Sequence, residues 1–315
     1  MKRNLNLNLQ SNLATSLKSK ILNTNNRLLL IIGLWGWLIF SGSAIAQTDL
    51  YNWQLGEEIY PGIRHAQLDV QEPRIMKINA MQVDLSNPQL RFTATSKDED
   101  WGKPMPDYPE LTIRTKRQKT RDFMLQSRER GLNMILAINS NGWQPWTSPF
   151  THTYADNLGL IISDGVVVSE LRDRPSLIVY KDGRITFGIV SPEDDLSQIQ
   201  TAVTGFAYVL EEGVVTSKDK SNAPRTGYGL SKHNEFLILL TIDGRQKGYS
   251  EGASTAEVAE WLRYFGAYNG LNMDGGGSTT LVYWDAENSV VKKVNHQSGN
   301  AERNVGCNLG IYLAE

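Results

Sequence analysis

The chain has 315 residues, 40% of them hydrophobic and 21% charged, which excludes a disordered or fibrous protein and leaves material for a sizeable core. The formal net charge is −2, and beyond residue 46 only 27 basic residues remain against 34 acidic ones, which excludes a protein built for non-specific nucleic-acid binding. A lone cysteine, Cys307, excludes an internal disulfide, so the fold must hold without staples.

The first 46 residues read as a signal peptide. No acidic residue precedes Asp49, and Lys2, Arg3, Lys18, Lys20 and Arg27 make a basic leader. The apolar run Leu28 to Phe40 follows, then Ala44 and Ala46 in an A-x-A arrangement that marks a cut after Ala46. The alternative is an uncleaved signal anchor, the one route by which this chain would meet a membrane. The run is short against the roughly 20 residues of a membrane span. Either way the bulk of the chain is exported to the periplasm, the cell surface or the medium. Residues 47–74 form a lead-in, and residues 75–315 a single domain.

That domain opens with the β-rich stretches RIMKINAMQVDL and LRFTAT. Residues 97–110 are charged and broken by proline, hence a surface loop. The basic stretch 112–130 predicts a helix closed by Gly131, its cations forming a solvated face. LNMILAIN (132–139) is a buried strand that empties into SNGWQPW. Two hairpins follow, each with a two-residue Asp-Gly turn, at Asp164-Gly165 and Asp182-Gly183. A third is expected around Glu211 to Gly213. EFLILLTI (235–242) is the most apolar strand in the chain.

After a glycine-rich loop, STAEVAEWLRYFG predicts a helix. Ser254 and Glu257 have capping-box spacing, Val258, Leu262 and Phe265 recur at helical intervals, and Gly266 ends it. GLNM is a short strand, DGGGS a turn, TTLVYW a strand, and VGCNLGIYL the last strand, with Cys307 as a small buried residue. Strands and helices do not alternate regularly. The class is therefore α+β, with a largely antiparallel or mixed sheet core and a few packed helices.

The chemistry gathers around NMDGGGSTT (272–280). Three successive glycines cost backbone entropy and are kept where the chain turns sharply or meets something closely. A strand follows the run, no lysine does, and G-x-G-x-x-G is absent, so a nucleotide-binding loop is excluded. Two readings stay open: a nest of N–H groups around an anion, aided by Ser278 and Thr279, and a glycine-rich bulge. Asp243 and Asp274 each end a strand. If those strands lie side by side, both carboxylates emerge at one rim, with Glu251 on the loop between. Arg225 and Arg245 offer forked donors to phosphate or carboxylate. Such oxygens also fit Ca²⁺, without defining a ligand set, and no other cofactor is indicated. His65, His152, His233 and His296 are scattered, so no zinc cluster is expected. No G-x-S-x-G elbow supports a serine hydrolase.

The block LLTIDGRQKGYSEGASTAEVAEWLRYFGAYNGLNMDGGGSTTLVY, with APRTGYG, LAINSNGW and ERNVGCNLGIYL, resembles the phosphodiester glycosidase family over roughly residues 75–315. One departure stands at Asn139-Ser140-Asn141-Gly142-Trp143, where that family has Asn-Gly-Gly before aromatics. The resemblance implies hydrolysis between an anomeric carbon and a phosphodiester oxygen, with a glycan or sugar phosphate as substrate. On that chemistry Asp274 is the carboxylate nucleophile or base. Asp243 is its partner or a positioning residue, and Glu251 a third carboxylate. Arg225 and the amides of Gly275, Gly276 and Gly277 hold phosphate, with Arg245 and Arg303 as weaker phosphate ligands. Asn139 and Trp143 face the sugar, and Trp143 or Trp146 offers a stacking face. A non-catalytic polysaccharide-binding module and a phosphodiesterase that cuts the P–O bond are the competing readings.

Overall fold

The computed structural model describes residues 50–299 and 301–314, so the expected leader lies outside the described residues. The chain is an antiparallel β protein with two α-helices among the described residues, the α+β class expected from sequence.

Eight strands form the largest sheet, in the order Glu57–Tyr60, Ile63–Val70, Met76–Asp84, Phe236–Ile242, Arg225–Leu230, Asn269–Asn272, Ala207–Glu211 and Val214–Val215. A second sheet of five strands is built on the hairpins Ile161–Ser163/Val166–Ser169 and Pro175–Tyr180/Ile185–Ile189, joined by Ile199–Thr204. A third has the order Val290–Lys293, Leu281–Asp285, Asn133–Asn139, Asn308–Leu313 and Leu90–Ala94.

The unbroken apolar run at 236–242 has a physical reason. Alternate residues of a strand point to opposite faces, and here both faces are covered. Leu237 and Leu239 pack with Leu136, Ile138, Leu309 and Val203 from the two smaller sheets. Ile238, Leu240 and Ile242 pack under the helix Thr255–Tyr264, against Val258, Leu262 and Phe265. That helix carries the expected capping box, the Ser254 hydroxyl accepting from the Glu257 N–H while the Glu257 carboxylate takes the Ser254 N–H. It lies close on the sheet because glycine leaves room. A Cβ at Gly227 would stand 2.7 Å from Val258, and one at Gly270 2.7 Å from Leu262.

Two local expectations are corrected. The helix predicted over 112–130 begins only at Thr120 and runs to Glu129. Before it, Thr115–Lys116 pairs with Tyr154–Asn157, and Gln118 bridges Val305. The β-branched Thr112, Ile113 and Thr115 favour extended backbone, and distant strands supply their partners. Its cations therefore do not share one solvated face: Arg117 is buried, donating to the carbonyls of Phe150 and His152. The turn at Asp164-Gly165 has two residues, both at positive φ, as expected. At Asp182-Gly183 the loop is longer: Tyr180 still donates to the Arg184 carbonyl (2.8 Å), so Lys181 joins the turn, and of the turn residues only Gly183 is left-handed.

The strands ending at Ile242 and Asn272 are not neighbours. Arg225–Leu230 lies between them and runs antiparallel to both. They therefore run parallel to each other and deliver Asp243 and Asp274 to one rim, where Arg225 begins the middle strand.

Candidate active site

At that rim Asp274 sits where the large sheet meets the third one. Its N–H donates to the carbonyl of Ser140 (3.0 Å), and its own carbonyl accepts from the Asn139 amide (2.6 Å). Asn139 is thereby pinned. Its side-chain oxygen takes the Thr226 hydroxyl (2.9 Å) and the Thr280 N–H (3.0 Å), and its carbonyl takes the Tyr228 hydroxyl. This fully buried asparagine fixes the two strand ends against each other; its side chain holds the fold and does not line an open cleft.

Asp274 as a residue is only 7% exposed, and its Oδ2 is buried without a hydrogen-bond partner. Desolvation disfavours the charged form and pushes its pKa up to about 7, against the opposing pull of Ser278, Arg303, Trp143 and the Gly275 N–H. Ser278 Oγ and Trp143 Nε1 face that carboxyl without reaching full hydrogen-bond geometry, and Arg303 Nη1 and Asn272 Oδ1 have no partner among the described residues. Buried polar atoms are normally satisfied. A knot of unsatisfied donors and acceptors around one carboxyl marks this rim as the candidate site.

The amides of the glycine run are not all turned to one anion: the Gly275 N–H favours the ionised Asp274 carboxyl, and the Gly276 N–H is spent on the backbone. Gly276 donates to the Pro224 carbonyl (2.8 Å), while the N–H groups of Ser278 and Thr279 close the turn on Gly275 and Gly276. What the glycines supply is proximity. A Cβ at Gly275 would stand 2.7 Å from the Pro224 carbonyl oxygen. One at Gly276 would stand 3.2 Å from Arg245 Nη1, and one at Gly277 2.6 Å from Arg303 Nη2. Two guanidinium groups thus lie against the run. Arg245 adopts a left-handed backbone, φ 57°, which a side chain rarely does without a geometric purpose. Arg303 is lowered in pKa first by burial and then by Arg245, with Asp274 opposing.

Arg225, by contrast, is occupied. Its Nε donates to Ala253 O (2.8 Å), and its Nη2 to Ser221 O (2.7 Å) and Asp219 Oδ2 (3.1 Å). It holds the loop that presents Pro224 to the glycines. Asp243 is 1% exposed and accepts from the His296 N–H (3.0 Å), Asn295 Nδ2 (3.3 Å) and the Tyr249 hydroxyl (3.4 Å). Burial still lifts its pKa to about 6. Asn295 in turn donates to the carbonyl of Thr279, so Asp243 braces the Ser278–Thr279 turn from behind. Glu251 is exposed, and its backbone joins Ile75 and Arg245. Among the described residues no three His, Cys, Asp or Glu side chains cluster as metal ligands.

Trp143 is 2% exposed, so it offers no stacking face; Trp146, at 57%, does. The two rings meet edge to face at 5.3 Å, and Phe150 packs on both. Arg303 lies over Trp146 (5.1 Å) and Phe150 (4.6 Å), and Arg117 over Trp143 (4.7 Å). Burial, then the charge of Arg303, lowers Arg117 to about 10. Arg117 and Phe150 were invisible in the sequence, the first hidden in a supposed helix face and the second in a proline-broken loop.

Residues 133–312 match the family described as Phosphodiester glycosidase. The chain is 27% identical over 157 residues to the N-acetylglucosamine-1-phosphodiester alpha-N-acetylglucosaminidase of Mus musculus, an overlap of 42% of this chain and 30% of that protein. The chain thus spans under a third of the curated relative's length. In fold it resembles the zebrafish N-acetylglucosamine-1-phosphodiester alpha-N-acetylglucosaminidase catalytic domain, auto-inhibited by its pro-peptide, with TM-score 0.57, 17% identity, and 85% of this chain and 87% of that one covered. It also resembles a hypothetical protein from Synechocystis, with TM-score 0.60, 12% identity, and coverage of 80% and 62%.

Proposed function

The chain belongs to the phosphodiester glycosidase family, and from that premise we propose that it hydrolyses the C–O bond between a sugar's anomeric carbon and a phosphodiester. The observation that carries this reading is the buried, half-neutralised Asp274 beside two guanidinium groups, Arg245 and Arg303, seated on glycines. As the C–O bond breaks, positive charge grows at the sugar and negative charge on the leaving phosphate. Arginines meet the second demand. A carboxylate meets the first, or takes a proton from the water that attacks carbon. Water adds to the anomeric carbon, Asp274 takes its proton, and the phosphate leaves as a monoester with the bonding pair. A phosphomonoester is a good leaving group, so no strong acid is needed opposite Asp274.

Arg245 and Arg303 hold the phosphate, while Asp243 positions the turn and Arg225 the loop beneath it. Trp146 and Phe150 offer a face to the substrate. The leader 1–46 directs the chain out of the cytoplasm, to a glycan of the cell surface or medium. Among the described residues no helix is long and apolar enough to cross a membrane. N-terminal sequencing of the product released by the native host reads whether the cut follows Ala46.

The test is hydrolysis of N-acetylglucosamine-1-phospho-methylmannoside and of other glycosyl-1-phosphodiesters in H₂¹⁸O by the full chain. Label in the free sugar supports C–O cleavage. Label in the phosphate overturns it in favour of a phosphodiesterase. Binding without turnover overturns it in favour of a glycan-binding module.

A further inference from the structure

A further cation–aromatic pair, Arg174 with Phe206, is left unused by the chemistry above. Phe206 follows Gly205, its N–H donates to the carbonyl of Asn272 (2.8 Å), and its ring is 38% exposed. The ring lies on Gly142, where a Cβ would stand 2.5 Å from Phe206 Cζ. Gly142 precedes Trp143, and Asn272 stands two residues before Asp274. Phe206 therefore reaches the Asp274 rim from the N-terminal side of that residue, as Arg303 reaches it from the C-terminal side at Gly277.

Above Phe206 stands Arg174, its guanidinium carbon 5.3 Å from the ring centroid. Arg174 Nη1 is buried and finds no hydrogen-bond partner among the described residues, and its guanidinium makes no ion pair there. The backbone beneath is fixed, since Gly205 donates to the carbonyl of Pro175, the residue after Arg174 (2.9 Å). That nitrogen is enclosed by protein, but Arg174 as a whole is partly exposed and carries an uncompensated charge beside an exposed ring, which an anionic ligand at its outer edge would answer.

We propose that Phe206 and Arg174 form a subsite for the glycosyl residue, and that this residue is an acidic sugar whose carboxylate is taken by Arg174. The inference rests on the phosphodiester-glycosidase reading in one respect: it needs the phosphate at Arg245 and Arg303. With the phosphate there, the sugar lies on the other side of Asp274, where its ring faces Phe206. A pyranose offers an apolar face to an aromatic ring, and a planar carboxylate matches the guanidinium fork. A neutral hexose would leave the Arg174 charge without a counter-ion.

The experiment measures binding of glucuronic acid, glucuronamide and glucose 6-phosphate to the full chain by saturation-transfer NMR and calorimetry, with no turnover required. Wild type is expected to bind the acid about tenfold or more tighter than the amide, the scale of one charge-assisted hydrogen bond, and tighter than the 6-phosphate. In Arg174→Gln the acid-to-amide ratio collapses toward one. Equal binding of acid and amide by wild type overturns the proposal, as does tighter binding of the 6-phosphate or a preference that survives in Arg174→Gln. An equal ratio in wild type overturns the proposal even if the variant fails to fold. A clear preference for the acid, without hydrolysis of any glucuronyl phosphodiester, would uphold the subsite while refuting the catalytic reading.

Discussion

Replacing Asp274 with asparagine should abolish turnover while stabilising the fold above neutral pH. Burial raises this carboxyl from its usual 3.8 to about 7. The folded state therefore holds a proton that the unfolded chain has already released between those values. The stability this contributes is fully present below pH 4 and is lost as pH rises through 7. A rise of that size corresponds to about 4 kcal/mol. Asparagine imitates the protonated acid and carries no charge to bury, so above pH 7 the variant should gain up to that amount. Its amide must still share the site with the donors of Trp143 and Ser278, which cuts the gain. Even half of it would raise Tm by about 4–8 °C in a domain of this size. Asp243, lifted to about 6, titrates in both proteins and cancels. Thermal melts of both proteins at several pH values from 4.5 to 8.5, beside turnover assays, read the difference. Two parallel curves, or a variant less stable at pH 8.5, would refute the account of Asp274 as a desolvated carboxylate.

The two arginine classes should separate. Arg303→Gln is expected to lower kcat/KM about 100-fold or more with Tm nearly unchanged, whereas Arg225→Gln breaks bonds to Ala253 and Ser221 and shows itself first in urea melts. The glycines should separate likewise. Gly275→Ala drives a methyl group against the Pro224 carbonyl oxygen, costing about 1–3 kcal/mol. Gly277→Ala meets only the far end of Arg303, so the fold should survive and kcat/KM should fall; equal losses of stability in both would contradict this. In Trp143→Phe the indole N–H that favours ionised Asp274 is gone, so the midpoint of the pH–kcat/KM profile should move above that of wild type.

Much of the scaffold was legible because its signals are local. The capping box at Ser254 and Glu257, the Asp164-Gly165 turn and the run at 235–242 each need only neighbours in sequence to be recognised. Cys307 is buried as expected, and burial pushes its thiol up to about 12. The stretch 112–119 misled because its lysines and arginines are good helix formers, whereas its partners, Tyr154–Asn157 and Val305, lie far along the chain. The site was legible as a place but not as a division of labour. Asp274 and the glycines were visible as a motif. Whether an arginine is spent on a carbonyl, as Arg225 is, or left open, as Arg303 is, depends on loops that only the fold brings together. Asn139 and Trp143 looked like ligand contacts for the same reason: sequence shows a polar or aromatic group, not the direction in which it is buried.

The juxtaposition of Asp274 and Arg303 has a consequence of its own. A guanidinium beside a fully ionised carboxylate would form a closed pair, and phosphate would have to break it. Desolvation instead holds Asp274 near neutrality and leaves Arg303 Nη1 without a partner. When a phosphodiester binds, its negative charge offsets the field of Arg303, which in the free protein pulls the Asp274 pKa down. The pKa must then rise further in the complex. Since kcat/KM reports the free enzyme and kcat the complex, the rising limb of kcat should lie at higher pH than that of kcat/KM. In Arg303→Gln that field is gone from the free enzyme, so the kcat/KM limb should move to higher pH than in wild type. Steady-state profiles from pH 5 to 9 measure this directly. A kcat limb at or below the kcat/KM limb in the wild type would mean that the phosphate does not sit on Arg303, and that the glycine run brings this cation close for some other ligand.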